Sequence, residues 1–260
     1  MTEPPPPTKA ALGAIAAFFM LLWLPLGQHE FLLQHWMKVG TFAAPLLLTA
    51  ALVFAGENKT QSASDVRWLA LLLLLAYIAH QYEEHWVDLL GNRYAFYVSV
   101  NELLLARLGA LASSAYPLTP AAVFAINTTL VWMLGLLAMT YGRVLRFPTY
   151  AFAALVLVNA ISHIAVALAT LSYNPGVMTS VILFGPTSAI TFRFLWRTEL
   201  DRRGALLRDS LLWAVFAHVL MIAGVLAANY YELFPEWLYF LLLFAVSVVP
   251  LVMHRHRERE

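Results

Sequence analysis

The chain has 260 residues, of which 61% are hydrophobic and only 12% are charged, and its formal net charge is +1. A soluble domain usually carries about 25% charged residues, so this composition indicates a helical membrane protein whose main partner is the lipid bilayer. The near-zero charge and the lack of a basic, aromatic-rich face exclude nucleic acid as an expected partner. The absence of cysteine excludes disulfides, thiolate zinc sites and iron–sulfur clusters.

Apolar runs of about 20 residues, the length that crosses a bilayer, recur from end to end. The acidic, proline-rich start is unlike the basic start of a signal peptide, so we expect the first run to be retained. The segment 92–115, which carries Asn101, Glu102 and Arg107, is either a ninth span or a re-entrant or surface helix. We predict an all-α transmembrane bundle, one domain over residues 1–260, with about eight spans at 10–33, 40–56, 67–88, 120–141, 149–171, 177–197, 209–230 and 236–253.

Arginines from the middle of the chain onward cluster at alternate connections between the predicted spans, at 143–146, 197–208 and 255–259. Positively charged connections stay in the cytoplasm, so we expect a bacterial inner-membrane protein whose basic tail, 254–260, is cytoplasmic. Charge alone separates eight spans from nine poorly. At a rise of about 1.5 Å per residue, eight spans place His80 and His163 at similar depth and nine separate them by roughly 9 Å, so a shared site favours eight.

The first predicted span contains a histidine–carboxylate pair, His29 and Glu30, after the kink expected at Pro25. With eight spans, this pair reaches the same side of the membrane as the end of the third span. We expect it to add an imidazole and a carboxylate to a metal site there. The alternative is that both are interfacial polar residues beside Trp36 and Lys38.

The run from His80 to His85, with the sequence His-Gln-Tyr-Glu-Glu-His, interrupts the apolar third span. Ionisable side chains at membrane depth cost roughly 2.5 kcal/mol or more each, so such a cluster indicates a functional site. On a helix that advances about 100° per residue, His80 and Glu84 share one stripe, Glu83 borders it and His85 is rotated from His80 by about 140°. The i, i+4 spacing lets His80 and Glu84 converge on one ion, as in carboxylate metal sites of helix bundles.

Two adjacent glutamates would repel each other at this depth, so a bound cation, or a proton held on one of them, explains their presence. The alternative is that the cluster only forms hydrogen bonds to neighbouring helices and stabilises their packing. Asn101 and Glu102 are further candidates, either to supply a carboxylate or to orient a histidine, unless Glu102 simply pairs with Arg107.

Two later features extend the cluster. His163 follows Asn159 by one turn on an apolar helix, so both can point into the bundle, and His163 is the expected third ligand. The run Tyr173-Asn174-Pro175-Gly176 is typical of a turn that opens the next helix, and we expect it to shape the mouth of the bundle without doing chemistry. His218 stands alone on its helix, where a structural role is favoured.

These three elements, in this order, resemble the HXXEE family of integral membrane proteins: the run from His80 to Glu84, the later His163, and the turn 173–176. The resemblance covers roughly residues 67–180 and implies a membrane domain whose function is unassigned. Many family members have tyrosine after the two glutamates and then a Pro-Gly-Gly-Phe run. Here His85 follows the glutamates and the later run is Leu-Gly-Asn-Arg-Tyr-Ala-Phe, 90–96, so the family does not imply the geometry of this loop.

The favoured hypothesis is a metal-dependent membrane enzyme that acts on a lipid-like or other hydrophobic small molecule. Ligands without sulfur suit iron, manganese or zinc; two irons would favour oxidation, and one zinc would favour hydrolysis. The expected metal ligands are His80, Glu83, Glu84, His163, His29 and Glu30, and the expected catalytic residues are Glu83, Glu84, Asn101 and Glu102.

Three other functions are compatible with the same residues, one of which is that of an assembly factor or receptor that uses the polar cluster only to fix the register of its helices. A metal-free isomerase or cyclase of isoprenoids would use one protonated glutamate as general acid. A transporter or ion-binding protein would hold a cation or proton near mid-membrane, although the chain shows no inverted repeats or broken-helix pairs. Neither the substrate nor the oligomeric state follows from the sequence.

Overall fold

The structure, a computed structural model, describes residues 9–57, 66–109, 116–142 and 144–254. These residues form helices and no β-strand, so the predicted all-α class is confirmed. The predicted segment 92–115 is described only up to residue 109. Arg143 and the basic tail beyond His254 lie outside the described residues.

Nine helices follow one another along this described part of the chain. We number them α1 (9–26), α2 (Glu30–Glu57), α3 (Arg67–His85), α4 (Ala95–Leu108), α5 (Pro120–Tyr141), α6 (Phe147–Thr170), α7 (Val177–Thr198), α8 (Arg203–Tyr230) and α9 (Glu236–Leu251). Four of the helices contain a wider π-helical turn, at Phe18–Trp23, Asn127–Met133, Ser180–Phe184 and Leu226–Tyr230. Such turns are frequent at functional sites, and those in α5 and α7 adjoin the site described below.

Four helices, α5 to α8, are long and apolar enough to cross a membrane. The apolar stretches in α1 and α9, Leu12–Leu26 and Glu236–Leu251, are shorter. The four long helices indicate a membrane protein. The count of eight or nine spans stays a prediction.

The predicted spans differ from the helices in three places, one of which is the start of α8, at residue 203 instead of 209. The break expected at 34–39 lies instead at 27–29, where the backbone of Gly27 packs so closely on the Phe124 ring that a Cβ atom would come within 2.0 Å of it. Helix α3 ends at His85, three residues before the predicted end, because the side chain of Asp88 is hydrogen-bonded to the backbone of the loop that follows. Its carboxylate accepts hydrogen bonds from the backbone N–H groups of Leu90 (2.9 Å) and Asn92 (2.7 Å).

Helix α6 is the centre of the bundle and contacts α3, α5, α7 and α8. Its first ten residues are all buried, and the small side chains of Ala151, Ala153 and Ala154 let the neighbouring helices approach closely. Its second half has both buried and exposed positions: His163 is buried, whereas Ile161 is 55% exposed and Leu168 is 69% exposed. Helix α6 therefore places His163 in the interior of the bundle, near the C-terminal end of the helix.

Candidate metal site

The carboxylate of Glu84 lies among three imidazoles in the interior of the bundle. One of its oxygens, Oε1, is 2.8 Å from His163 Nε2, and the other, Oε2, is 3.2 Å from His80 Nε2 and 3.3 Å from His85 Nε2. All four side chains are buried, with exposed fractions of 6% or less. One ligand atom each from His80, Glu84 and His163 lies within 4.8 Å of the others, so these three residues could hold a metal ion.

The imidazole of His80 is oriented by Thr179, at the start of α7. His80 Nδ1 lies 2.8 Å from Thr179 Oγ1, and the hydroxyl of Thr179 donates its proton to Glu83 Oε2. A hydroxyl has only one proton to donate, so it must accept from His80 Nδ1–H. In the neutral ring, the Nε2 atom of His80 therefore carries the lone pair, and this atom lies near Glu84 (3.2 Å) and the Asn159 amide nitrogen (3.3 Å).

The imidazole of His163 is oriented by the turn that follows its helix. Asn174 donates from Nδ2 to the main-chain carbonyl of His163 (3.0 Å), which leaves its Oδ1 as the acceptor 2.8 Å from His163 Nδ1. The Nδ1 atom of His163 therefore carries a proton, and in the neutral ring its Nε2 faces Glu84 with the lone pair.

The imidazole of His85 is oriented by a chain of amides that starts at Trp132. The indole N–H can only donate, and it donates to Gln81 Oε1 (2.8 Å), so Gln81 Nε2 donates to Asn127 Oδ1 (3.0 Å). Asn127 Nδ2 then faces His85 Nε2 at 3.2 Å as a donor. The Nε2 atom of His85 is therefore an acceptor as well.

The Nε2 atoms of three imidazoles thus lie around one carboxylate. An ionised carboxylate can only accept hydrogen bonds, so the short contact to His163 (2.8 Å) requires either a proton on Nε2 or a cation between the two groups. Histidines that bind metals typically donate their other ring N–H to a carboxylate, carbonyl or water, which fixes the tautomer. His80 and His163 follow this pattern, because their Nδ1–H groups are held by a hydroxyl and an amide oxygen. This donor set fits a metal ion.

Glu83 is a predicted ligand, but its carboxylate is hydrogen-bonded to Tyr173 and Thr179. It accepts from the Tyr173 hydroxyl (2.9 Å), from the Thr179 backbone N–H (2.9 Å) and from the Thr179 hydroxyl. Burial raises the pKa of the Tyr173 hydroxyl, and the nearby Glu83 carboxylate raises it further, so the phenol stays a donor. The two adjacent glutamates therefore have different partners. Glu84 contacts the histidines, whereas Glu83 holds the hydroxyl of Thr179, which in turn orients His80.

Gly176 forms a wall of the site. Its φ is +92°, a left-handed conformation that favours glycine, and a Cβ atom there would lie 2.7 Å from His80 and 2.8 Å from both Glu84 and His163. The turn 173–176 therefore supplies Tyr173, Asn174 and Gly176 to the site, which is more than the mouth-shaping role expected from its sequence.

Aromatic rings enclose the imidazoles. Phe184, in the π-helical turn of α7, lies 4.3 Å from His80 between ring centroids, and Phe96 lies 5.2 Å from His85 and 5.8 Å from His163. An apolar enclosure lowers the local dielectric and strengthens the interaction of the ligands with any cation.

The structure does not bring the other predicted residues to this group. His29 and Glu30 are exposed at the start of α2 and make local contacts, with the Phe31 N–H and with Gln34. Asn101 is buried but bonds to the main chain of Tyr97 and Leu118, and so joins α4 to the segment before α5. Glu102 is exposed. The predicted roles of these four residues rest on the sequence alone.

Sequence reasoning misses several residues that support the site. The helical pattern places His85 on another face, but long side chains on adjacent residues reach the same point. Asn127 is recognisable as a polar residue in an apolar span. Thr179 carries no such signal, because most buried threonines simply bond to a carbonyl of their own helix, as Thr128 does to Phe124.

Residues 71–191 match the model of a family described as "Protein of unknown function with HXXEE motif". The matched region contains Glu84, the three histidines around it, and the residues that orient them. No curated protein and no solved structure matches the chain. The resemblance in the motifs is confirmed, because residues 71–191 match the model of the HXXEE family.

Proposed function

We propose that the protein is a metal-dependent membrane enzyme that acts on a hydrophobic substrate. The observation that carries the proposal is the buried group of His80, Glu84 and His163, whose ligand atoms lie within 4.8 Å of one another. His80, Glu84 and His163 would hold the ion, and His85 presents a further nitrogen to the same carboxylate. Glu83, Thr179, Asn174 and Asn127 would hold these ligands in position.

The ligand set narrows the choice of metal and reaction. Two histidines and one carboxylate are the ligands of non-haem iron(II) oxygenases and of several zinc hydrolases, and manganese accepts the same donors. Such an ion polarises a substrate oxygen or lowers the pKa of a bound water. Oxidation and hydrolysis are both compatible with this site, which has no sulfur ligand.

The contacts between helix ends support eight spans. Gln81 and His85, near the C-terminal end of α3, contact Asn127, near the N-terminal end of α5. These contacts place the end of α3 and the start of α5 at the same end of the bundle, which supports an arrangement in which α4 does not cross. We propose eight spans with the C-terminus in the cytoplasm of a bacterial inner membrane, as the arginine distribution favours.

The test is metal analysis of the purified protein, with variants at His80, Glu84 and His163. We expect about one metal ion per chain in the wild type and below about a tenth of that in Glu84→Gln and His163→Gln, since loss of a ligand removes most of the affinity. His218→Gln is the matched control, because His218 Nδ1 contacts only the Ala214 carbonyl of its own helix among the hydrogen bonds of the described residues.

A folded wild-type protein without metal, and with no metal taken up from iron, manganese or zinc salts, would remove the proposal. The metal-free isomerase or cyclase would then be favoured. In that case Glu84→Gln should abolish an activity that depends on pH and not on metal.

A further inference from the structure

Glu84 and the three histidines around it, His80, His85 and His163, are called the metal group below. Two of its members, Glu84 and His85, also line a cavity. It has a volume of about 250 Å³ and lies between α3, α4, α5, α6 and α8. The polar part of its lining belongs to the metal group and its immediate neighbours: Glu84, His85, Tyr77, Asn127 and Asn159. The rest of its lining consists of aliphatic, Phe and Met side chains. The cavity is therefore polar at the metal group and apolar everywhere else.

Two apolar residues of the lining also lie on the outer surface. Leu103 on α4 is 44% exposed, and Ile222 on α8 is 52% exposed. Ile222 lies eight residues before the end of α8, a helix long enough to cross the membrane, and so about 12 Å from that end. The cavity thus reaches the outer surface at Ile222, inside a helix that is long and apolar enough to cross the membrane.

The size of the cavity limits what it can hold. Pockets for drug-sized ligands have volumes of about 300–1,000 Å³, so about 250 Å³ accommodates part of one hydrocarbon chain and excludes a fused ring system or two acyl chains. A charged solute or ion would lose its hydration against these walls without compensation. An apolar chain gains free energy there instead.

A second cavity, of about 320 Å³, reaches His85 from the α2 side, where its lining includes Gln34, Trp36 and Tyr94. Glu84 does not line it. Of these two cavities, only the first is lined both by apolar side chains and by Glu84, whose carboxylate the three histidines surround.

We propose that the first cavity holds the single hydrocarbon chain of an amphiphilic substrate, which enters from the lipid between Leu103 and Ile222 with its polar end at Glu84 and His85. The proposal rests on the metal-dependent function proposed above and adds the substrate class, a single-chain amphiphile.

The test is photolabelling of the purified protein with palmitic acid that carries a diazirine in mid-chain. We expect the label on peptides that contain 100–104 and 221–225. Val100→Trp fills the cavity and should reduce labelling by about tenfold or more, as overpacking disfavours the bound chain. Val98→Trp is the matched control, because Val98 lies on the same helix, is 39% exposed and does not line the cavity.

Metal content, measured on the same samples, separates the two proposals. Equal labelling of Val100→Trp and Val98→Trp, with metal bound in both, would overturn the cavity proposal and leave the metal-dependent function intact. Labelling that follows the cavity in a protein without metal would support the cavity and remove the metal. If Val100→Trp fails to fold, Ile222→Trp, which blocks the mouth, replaces it, with the exposed Val219→Trp as its control.

Discussion

The Nδ1 atom of His80 is held by the hydroxyl of Thr179. Thr179 accepts from His80 Nδ1 at 2.8 Å while it donates to Glu83, so the ring is held in the tautomer that turns Nε2 toward Glu84. Partners of this kind are often as important for metal binding as the ligands, because they fix the ring orientation and raise ligand basicity. Glu84, the second glutamate of the motif, contacts the imidazoles, and the first, Glu83, orients His80 through Thr179.

We therefore expect Thr179→Val to weaken metal binding by about 10- to 100-fold, the usual cost of losing such a partner. Valine keeps the shape of threonine but cannot accept from Nδ1–H. Thr179→Ser keeps the hydroxyl and should bind metal as the wild type does. Competition with a chelator measures both affinities. Equal affinity of the valine and serine variants would show that the hydroxyl does not orient His80.

At the level of helices, the opposite end of the bundle is held by a buried carboxylate. Glu199, just after α7, accepts from Arg146 (2.8 Å), just before α6, and from Arg202 (2.9 Å). Burial alone would raise the pKa of the Glu199 carboxyl, but the hydrogen bonds from Arg202 and Arg146 outweigh burial and hold the pKa below its usual range. The ionised form is therefore favoured in the folded protein.

This pKa direction predicts the pH dependence of stability. A carboxyl with a lowered pKa in the folded state stabilises the protein above its ordinary pKa, and the contribution is lost as the pH falls through the folded pKa. At pH 7 we expect Glu199→Gln to lower the Tm by roughly 2–4 °C, as a loss of about 1 kcal/mol does in a chain of this size. The difference from wild type should shrink below about pH 4.5.

Thermal unfolding in detergent over this pH range measures the effect. The exposed Glu102 provides the matched control, and Glu102→Gln should leave the Tm unchanged at every pH. A Tm difference for Glu199→Gln that does not vary with pH would contradict the role of its charge.

At the level of the whole molecule, one end of the bundle assembles the site. The C-terminal halves of α3 and α6 meet the N-terminal halves of α5 and α7 around Glu84, and α8 closes the cavity beside them. This convergence requires that α3 ends and α5 begins on the same side. The proposed arrangement of eight spans meets this requirement.

Single cysteines in the cysteine-free chain test the topology. Leu90, after α3, Leu233, before α9, and Leu200, between α7 and α8, are all exposed. With eight spans, Leu90→Cys and Leu233→Cys should react with a membrane-impermeant maleimide from one side, and Leu200→Cys should react only from the other. Labelling of Leu90→Cys from the side of Leu200→Cys would instead require that α4 and its flanking segments cross the membrane.

Much of the fold and part of the site follow from the sequence. Long apolar runs predict α5 to α9 to within a few residues, except that α8 starts six residues earlier than predicted, because helix formation and burial in lipid depend on local composition. The predicted break between α1 and α2 is wrong because the true position depends on the contact of Gly27 with Phe124, a residue about a hundred positions away. Contacts between distant segments leave no local pattern.

The sequence by itself determined the class of the protein and the centre of its site. Ionisable residues in an apolar run are costly, so the sequence pattern alone identifies His80, Glu84 and His163. Only the tertiary structure decided which glutamate faces the histidines, that His85 joins them, and that Thr179, Asn174 and Asn127 set their tautomers. The physical reason is that adjacent residues differ by only about 100° on a helix, and the packing of α5, α6 and α7 around α3 selects among them.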